Sequence, residues 1–429
     1  MLELVSNYDQ PIKFIVGHAG TGKSTRLVKE YTDGTLVLTP THKAVGVLQK
    51  KGIKLAYTIH SVLKLVPTLN ENFNPLKRQR MQKLKKLGDT DLSLIKKVFI
   101  DEYSMINQEI LDLLLEVLPA EAEVTIFGDA SQLPPVDGEA IDPYIYTDNV
   151  EYLTTQHRAE APEVVETFER FVSYIERPSN HADLSMHKDI VSMPLKEALV
   201  EYSYDPEQDI ILAYTNAKTL QLNKIAQAYL GIKEPSDVIL NSLDAEVNGD
   251  IEPEATTIYP TCISKGKLNL DNVEKTEADI EKFNTRINYP LKSFSVDGEV
   301  YTAYYDSNHY ENSKKLKAEV EKCQRQLYSD NSLPEDTSLA QWCRQNKGAK
   351  GVSARAKAWS AYLTHQNLVF DMRAPYARTV HKSQGSEYRT VFIAQEDIKI
   401  AIRNGYYVNY ARLMYVALSR AIARVIIIK

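Results

Sequence analysis

Short runs of apolar residues recur along the chain and alternate with longer stretches that have helical periodicity. Nearly every position in these runs is apolar, which is typical of strands buried on both faces in a parallel sheet. Because helices connect such strands, the pattern predicts an α/β fold with two lobes, each a parallel sheet flanked by helices. The runs are residues 14–16, 36–38, 98–100 and 124–127 for the first lobe, and 210–213, 391–394 and 425–428 for the second.

Two segments interrupt this alternation. In the longer one, residues 241–373, an alternating run from Ser293 to Tyr305 predicts a small β unit. Residues 313–328 and 354–363 then show helical periodicity. We therefore expect an insertion in the second lobe, made of a β unit and a helical extension.

The second interruption, residues 67–95, is the most basic part of the chain. Pro75 and Gly88 stand where the start and stop signals of a helix would, and six cations lie between them. This pattern predicts a short exposed helix whose charges face solvent or phosphate. The cations are Lys77, Arg78, Arg80, Lys83, Lys85 and Lys86.

Composition limits the class of protein without naming a substrate. With 429 residues the chain favours several domains, and its formal charge of −6 means that any nucleic-acid surface must be local. Three dispersed cysteines argue against a disulfide framework and favour a reducing cytoplasm. The sequence has no apolar run of about 18 residues and no long heptads, so we expect no membrane anchor and a working monomer.

The run at 14–16 leads directly into GHAGTGKS at 17–24, which has the spacing of a phosphate-binding loop. Its glycines let backbone N–H groups close around phosphate oxygens, and Lys23 supplies a cation to the β- and γ-phosphates. Ser24 is placed to bind Mg²⁺ at the start of the next helix, whose N-terminus favours a polyanion. The predicted nucleotide-binding residues here are Gly17, Gly20, Thr21, Gly22, Lys23, Ser24 and Thr25.

Polar residues follow two other strands of the first lobe. Asp101 and Glu102 end the run at 98–100, where Asp101 can hold the metal and Glu102 can act as general base on the attacking water. Gln132 follows the run at 124–127 and is placed to contact the γ-phosphate. An exposed turn is the alternative reading of Gln132.

Two arginines are candidates for stabilising the charge on the transferred phosphoryl group. Arg158 ends QHR at 156–158, and Arg420 lies in YVALSRA at 415–421, just before the last apolar run. A second lobe could aim Arg420 across a cleft toward the nucleotide. A surface salt bridge is the alternative for either arginine.

These segments, together with three others, form an ordered series along the chain. GHAGTGKS is followed by LTPTHKA at 38–44, TIHSVLK at 58–64, DEYSM at 101–105, GDASQLPPV at 128–136, QHR, TVHKSQGSE at 379–387 and YVALSRA. The series resembles the superfamily 1 helicases of the RecD-like branch, and it spans nearly the whole chain.

The resemblance implies an ATP-dependent DNA helicase with two RecA-like lobes and with ATP and Mg²⁺ between them. Single-stranded DNA would lie across both lobes, and travel would be 5′-to-3′. The first lobe would comprise residues 1–66 and 96–177, with a pin or wedge at 67–95 that meets fork DNA. The second would comprise residues 178–240 and 374–429, with an SH3-like domain and helical extension at 241–373. Replication or recombination proteins would be further partners.

The resemblance also places residues on a strand-contacting surface. Hydroxyls, imidazoles and backbone N–H groups at strand ends suit phosphate and sugar contacts, so binding should be largely independent of sequence. Gly385 and Glu387 would couple this surface to the nucleotide, and Tyr214 is a candidate for base stacking. The predicted strand-contacting residues are Thr41, His42, Thr58, His60, Asn216, Thr379, His381 and Lys382.

Three other functions fit the same motifs. A translocase could displace proteins from DNA without unwinding it, and a nucleotide-dependent switch would ignore single-stranded DNA. An RNA helicase must sense the 2′-OH, a contact that no motif reveals. Gln10 is the candidate adenine contact, but it stands close to the phosphate loop, so selectivity among nucleoside triphosphates is open.

Overall fold

The computed structural model divides the chain into two compact units, residues 1–68, 77–231 and 376–429 in one and residues 69–76 and 232–375 in the other. The backbone is described for residues 10–63, 66–69, 75–78, 86–87, 90–91, 94–135, 138–157, 162–178, 184–232, 237–240, 243–251, 263–264, 267–268, 291–296, 299–305, 308–330, 342–343, 345–370, 372–373, 375–402 and 407–429.

The first 153 residues contain the first sheet and its helices, together the first lobe, and two separate pairs of short strands. In chain order the elements are β1 (Ile12–Gly17), α1 (Lys23–Glu30), β2 (Thr35–Thr39), α2 (His42–Lys50), β3 (Ala56–Thr58), α3 (Ile59–Leu63), β4 (Val66–Leu69), β5 (Pro75–Arg78), β6 (Lys86–Leu87), β7 (Thr90–Asp91), β8 (Lys97–Ile100), α4 (Gln108–Val117), β9 (Glu123–Gly128) and β10 (Val150–Leu153). Six parallel strands are ordered β10-β1-β9-β8-β2-β3. Phe14 and Ile15 on β1 are fully buried, which is why this strand is apolar on both faces.

The remaining elements form the second lobe and the second unit. They are α5 (Pro162–Glu176), β11 (Val191–Met193), α6 (Leu195–Tyr202), β12 (Ile210–Ala213), α7 (Asn216–Tyr229), β13 (Asp237–Leu240), β14 (Leu243–Ile251), β15 (Ile263–Ser264), β16 (Lys267–Leu268), β17 (Leu291–Val296), β18 (Glu299–Tyr305), α8 (His309–Asp330), α9 (Val352–Leu368), β19 (Val369–Phe370), β20 (Met372–Arg373), β21 (Ala377–Thr379), β22 (Tyr388–Ala394), α10 (Gln395–Ile398), α11 (Val408–Leu418) and β23 (Ala421–Ile428).

The second lobe is built on a parallel sheet of five strands, ordered β11-β23-β22-β12-β21. All seven predicted apolar runs lie in strands of the two parallel sheets. The predicted α/β fold with two helix-flanked parallel sheets is therefore confirmed.

The second unit contains a mostly antiparallel sheet, ordered β19-β18-β17-β14-β13-β20, and the helices α8 and α9. The hairpin β17–β18 covers the predicted alternating run, and the two helices cover both segments with helical periodicity. The expected β unit with a helical extension is present. Among the described helices, none has the length and apolar character that crossing a bilayer requires.

The predicted basic helix near residues 77–86 is wrong where the structure describes it. Pro75–Arg78 is strand β5, which pairs with β4, and Lys86–Leu87 is strand β6, which pairs with β7. Proline fits the first residue of a strand as well as that of a helix, so Pro75 misled the prediction. Residues 79–85 lie outside the described residues.

Helix α5 packs with the second lobe, although the predicted boundary at residue 177 put it in the first. Its apolar stripe includes Phe168 and Phe171, both fully buried in one core with the second sheet. The Phe168 ring lies edge-on to Tyr415 at 5.6 Å, and the Phe171 ring lies 6.0 Å from Tyr410, both on α11. Burial of each phenylalanine contributes about 2 kcal/mol. The packing therefore moves the boundary to before residue 162; the other domain limits stay predictions.

Candidate nucleotide cleft and strand-contacting surface

The phosphate loop connects β1 to α1, and its backbone requires glycine at two positions. Gly20 and Gly22 have φ values of 84° and 83°, in the left-handed region that other residues rarely adopt. Nζ of Lys23 donates hydrogen bonds to the carbonyl oxygens of Gly17, at 2.6 Å, and His18, at 2.8 Å. The Lys23 ammonium is thus held against the start of the loop, beside the helix N-terminus that favours anions.

Two carboxylates follow β8. Asp101 is buried, and its Oδ1 accepts a hydrogen bond from the backbone N–H of Glu102 at 2.9 Å. Burial, and then the charge of Glu102, raise the pKa of Asp101 to about 7. Glu102 has φ 56°, the only positive φ of a non-glycine residue in the described chain. Such backbone strain clusters at functional sites, so it marks Glu102 independently of its sequence position.

Both lobes line one cleft of about 700 Å³ around Lys23. The first lobe contributes the phosphate loop and the acid pair, and the second contributes the segment that leads into β22 and the residues that follow α11. Gly17 and Thr21 lie in the loop itself, where the Thr21 hydroxyl donates to the His18 carbonyl at 2.8 Å. The predicted residues that line the cleft are Gly20, Gly22, Lys23, Ser24, Thr25, Asp101, Glu102, Gln132, Gly385, Glu387 and Arg420. Arg158 lies outside the described residues.

Arg420 is fixed in this cleft by its own lobe. The side chain is buried; Nε donates to the carbonyl of Val416 at 3.2 Å, and Nη1 donates to that of Ser386 at 3.3 Å. Nη2 donates to the Ser419 hydroxyl at 2.9 Å. All three partners are neutral, so the guanidinium charge is not consumed by a surface salt bridge, which was the alternative for this residue.

Gln132 is buried rather than exposed, which excludes the alternative of a simple surface turn. Its Oε1 accepts a hydrogen bond from Nε2 of Gln384 at 3.4 Å, and its backbone carbonyl accepts one from Arg412. Arg412 also donates to the Ala130 carbonyl at 2.6 Å. The turn after β9 is therefore held by side chains of the second lobe.

The acid pair suits a divalent cation. Glu102 Oε2 is buried and has no hydrogen-bond partner in the protein, and the pKa of Asp101 is raised first by burial and then by the charge of Glu102. A carboxylate oxygen in this state favours a cation or water. Ser24 and Asp101 are the residues that would hold Mg²⁺, which would neutralise charge on the phosphate oxygens.

The two lobes carry the same helix-capping turn at the carboxyl end of a central strand. After β2, Oγ1 of Thr41 accepts the backbone N–H of Ala44 at 3.2 Å and caps α2. After β12, Oγ1 of Thr215 accepts the backbone N–H of Lys218 at 3.2 Å and caps α7. Each turn therefore leads into a helix N-terminus, whose field favours anions.

A second turn of the sequence T-x-H is also present in both lobes, on the neighbouring edge strand. Oγ1 of Thr58 accepts the backbone N–H of Ser61 at 3.2 Å, and Oγ1 of Thr379 accepts that of Lys382 at 3.3 Å. Thr58 pairs in register with Thr39 of β2, and Thr379 pairs with Ala213 of β12. The same pair of turns thus occurs at the same edge of both sheets.

The predicted strand-contacting residues divide into two groups. Thr58 and Thr379 are buried and shape their turns, whereas Thr41, His60 and Lys382 are partly exposed. Asn216, the first residue of α7, and His381 are exposed, and the His381 ring lies 5.9 Å from Tyr214. The side chain of His42 is outside the described residues. Their contact with nucleic acid stays a prediction.

Comparisons with known proteins agree with this arrangement. Residues 3–138 match the family model of an AAA domain, and residues 375–428 match that of the UvrD-like helicase C-terminal domain. The ATP-dependent DNA helicase dda of Enterobacteria phage T4 is 25% identical over 405 residues, which cover 88% of this chain and 86% of the relative. These sequence matches support a superfamily 1 helicase related to dda. An uncharacterised protein of Acanthamoeba polyphaga mimivirus is 22% identical over 99% of this helicase and 96% of the relative.

Solved structures similar to this helicase include two Pif1 proteins. The Bacteroides Pif1 complex with ADP-AlF3 and single-stranded DNA has a TM-score of 0.44 and 16% identity, over 98% of this chain and 89% of that one. Pif1 from Candida albicans also has a TM-score of 0.44 and 16% identity, over 98% of this chain and 91% of that one. The family assignment depends on the sequence matches.

Several residues of the helicase site escaped the sequence analysis. Nε2 of Gln156 donates to the Ala19 carbonyl at 2.8 Å, and the backbone N–H of His157 donates to that of Gly20 at 2.9 Å. Gln156 and His157 directly precede Arg158 in the chain, and this was the signal that could have placed them at the site. Gln10, the candidate adenine contact, instead donates to the carbonyl of Leu115 at 2.8 Å and is not among the residues that line the cleft.

Proposed function

We propose that this helicase hydrolyses ATP to translocate 5′-to-3′ along single-stranded DNA and to unwind duplex DNA at a fork. The observation that carries the proposal is the single cleft that brings Lys23, Glu102 and Arg420 together from two lobes. The name of the phage T4 relative, an ATP-dependent DNA helicase, supports the substrate.

The cleft has the groups that phosphoryl transfer from ATP to water needs. Backbone N–H groups of the phosphate loop and Lys23 bind the β- and γ-phosphates, while Glu102 takes a proton from the attacking water. Gln132 contacts the γ-phosphate from the turn after β9. Arg420 stabilises the charge that develops on the transferred group, and Arg158 is proposed to add a second cation.

Directed movement follows from the placement of these groups on two lobes. A nucleotide shifts a conformational equilibrium only through contacts that differ between the two states. ATP held by Lys23 on one lobe gains the contact with Arg420 when the cleft closes, and it loses that contact after hydrolysis. Each cycle would therefore close and reopen the cleft.

The repeated turns support a strand that crosses both lobes. Backbone donors at the starts of α2 and α7, together with His60 and His381, suit phosphate and sugar contacts without sequence readout. Gly385 and Glu387 line the cleft and follow the second T-x-H turn by only a few residues, which suits coupling of the two sites. The 5′-to-3′ direction is proposed from the RecD-like branch alone.

The deciding experiment measures ATP hydrolysis by the full chain with single-stranded DNA, with single-stranded RNA and with no nucleic acid. We expect stimulation by DNA of at least tenfold and little by RNA. Unwinding of duplexes with a 5′ tail but not a 3′ tail would support the direction. Protein displacement without unwinding would instead indicate a translocase, and equal stimulation by RNA would contradict the DNA assignment.

The matched variants are Lys23→Ala and Lys29→Ala, both on α1. Lys23→Ala should lower kcat at least a hundredfold and leave the Kd for single-stranded DNA within threefold, because the two sites are separate. Lys29 is exposed, so its variant should change neither value. Normal hydrolysis by Lys23→Ala would remove the central assignment.

A further inference from the structure

A hydroxyl group of the second lobe lies inside the phosphate loop. The backbone N–H of Ala19 donates a hydrogen bond to the hydroxyl oxygen of Tyr415 at 2.8 Å, and the same hydroxyl donates to Oδ2 of Asp129. Ala19 belongs to the loop after β1, Asp129 follows β9, and Tyr415 lies on α11. One side chain therefore joins both lobes at the cleft.

Asp129 anchors this contact as a buried carboxylate. Its Oδ1 accepts the backbone N–H of Ser131 at 2.9 Å and lies 3.5 Å from Nδ1 of His18, also in the phosphate loop. Burial alone would raise the pKa of Asp129, but the contacts with His18 and Tyr415 and the charge of Lys23 bring it below its usual value. The anion thus connects the loop to the turn that leads to Gln132.

The Tyr415 ring has little freedom to move independently of its helix. It is fully buried and lies edge-on to Phe168 at 5.6 Å and to His18 at 6.4 Å. Close packing transmits small displacements instead of absorbing them. A shift of α11 relative to the first lobe must therefore act on Ala19 and Asp129 together.

We infer that Tyr415 is a positioning residue for ATP hydrolysis, whose hydroxyl aligns the phosphate loop at Ala19 with the Gln132 turn at Asp129. This inference rests on the proposed function, because it assigns a role within hydrolysis at the same cleft. The hydroxyl orients groups that act on the γ-phosphate and adds no ion pair to bound nucleotide. Its loss therefore lowers kcat more than it raises KM for ATP.

The test compares Tyr415→Phe with Tyr410→Phe in the full chain. Tyr410 is buried on the same helix, and its hydroxyl accepts a hydrogen bond from Gln395 at 2.8 Å. Each variant therefore loses one buried hydroxyl, with two hydrogen bonds lost at Tyr415 and one at Tyr410. With saturating single-stranded DNA, Tyr415→Phe should lower kcat at least tenfold with KM for ATP within threefold. Tyr410→Phe should keep kcat within twofold. Equal kcat values in the two variants would overturn the inference.

A double-mutant cycle with Asp129→Asn tests the same contact from its other end. If the two residues act through one hydrogen bond, the double variant should be no more than twofold slower than the slower single variant. Multiplied losses, or an Asp129→Asn variant with unchanged kcat, would overturn the inference even if Tyr415→Phe failed to fold. A wild-type chain without DNA-stimulated hydrolysis would overturn the proposed function instead.

Discussion

Nε2 of Gln384 in the second lobe donates a hydrogen bond to Oε1 of Gln132 in the first, across 3.4 Å. Both side chains are buried. Gln132 lines the nucleotide cleft, and Gln384 lies three residues after His381 of the second T-x-H turn. This bond is therefore a direct path between the cleft and the predicted strand-contacting surface.

Removal of that bond should uncouple hydrolysis from DNA. Gln384→Ala is expected to reduce the stimulation of ATP hydrolysis by single-stranded DNA at least fivefold, because the Gln132 turn no longer responds to the second lobe. Gln395→Ala, which removes the amide bonded to Tyr410, serves as the control. Titration of the hydrolysis rate with DNA measures both, and equal stimulation in the two variants would contradict the prediction.

Arg420 should act on the rate of hydrolysis and much less on nucleotide affinity. Its contact with the phosphoryl group strengthens as charge develops, so Arg420→Ala should lower kcat about a hundredfold and change nucleotide Kd less than fivefold. The control is Arg424, four residues after Arg420, which forms an exposed ion pair with Glu201. Arg424→Ala should change neither value. Equal losses of kcat and affinity in Arg420→Ala would argue against the assigned role.

Asp101 should make the stability of the protein depend on pH. Its pKa is about 7 in the folded chain, against about 3.9 for an exposed aspartate, so the folded state binds this proton more tightly between those values. The contribution of protonated Asp101 to the free energy of unfolding is therefore complete at acidic pH, and it is lost as the pH rises toward 7. Without Mg²⁺ and nucleotide, Asp101→Asn should have a Tm above wild type by about 5 °C at pH 8 and by less at pH 5. A pH-independent difference in thermal denaturation would contradict this.

Asp397 on α10 should be required for the turn that precedes α7. Its Oδ2 accepts the backbone N–H groups of Tyr214 at 2.8 Å and Thr215 at 2.7 Å, and its Oδ1 accepts the Thr215 hydroxyl at 2.8 Å. Asp397→Ala should lower the free energy of unfolding by about 2 kcal/mol and raise the Kd for single-stranded DNA at least fivefold.

Denaturant unfolding and fluorescence anisotropy measure these two effects. The control is Glu396→Ala on the same short helix, where only an exposed ion pair with Lys399 is lost. A destabilised Asp397→Ala variant that binds DNA like wild type would show that the turn does not contact the strand.

The sequence predicted both parallel sheets because short apolar runs recur and alternate with stretches of helical periodicity. It also predicted the phosphate loop and the acid pair, since each is a local pattern of a few residues. The prediction failed at Pro75, because proline is favoured at the first residue of a helix and is also tolerated at the first residue of a strand. It misplaced α5 because an apolar stripe shows that a helix is buried without showing against which sheet.

The sequence by itself therefore determined the elements and the chemical groups: the strands, the glycines of the loop, and the identities of Lys23, Asp101 and Arg420. Only the tertiary structure decided which distant groups meet. Tyr415 and Ala19 are separated by 396 residues, and Asp397 and Thr215 by 182, so no local pattern could pair them. Their contacts exist because packing of the two sheets and their helices fixes atoms whose positions along the chain are unrelated.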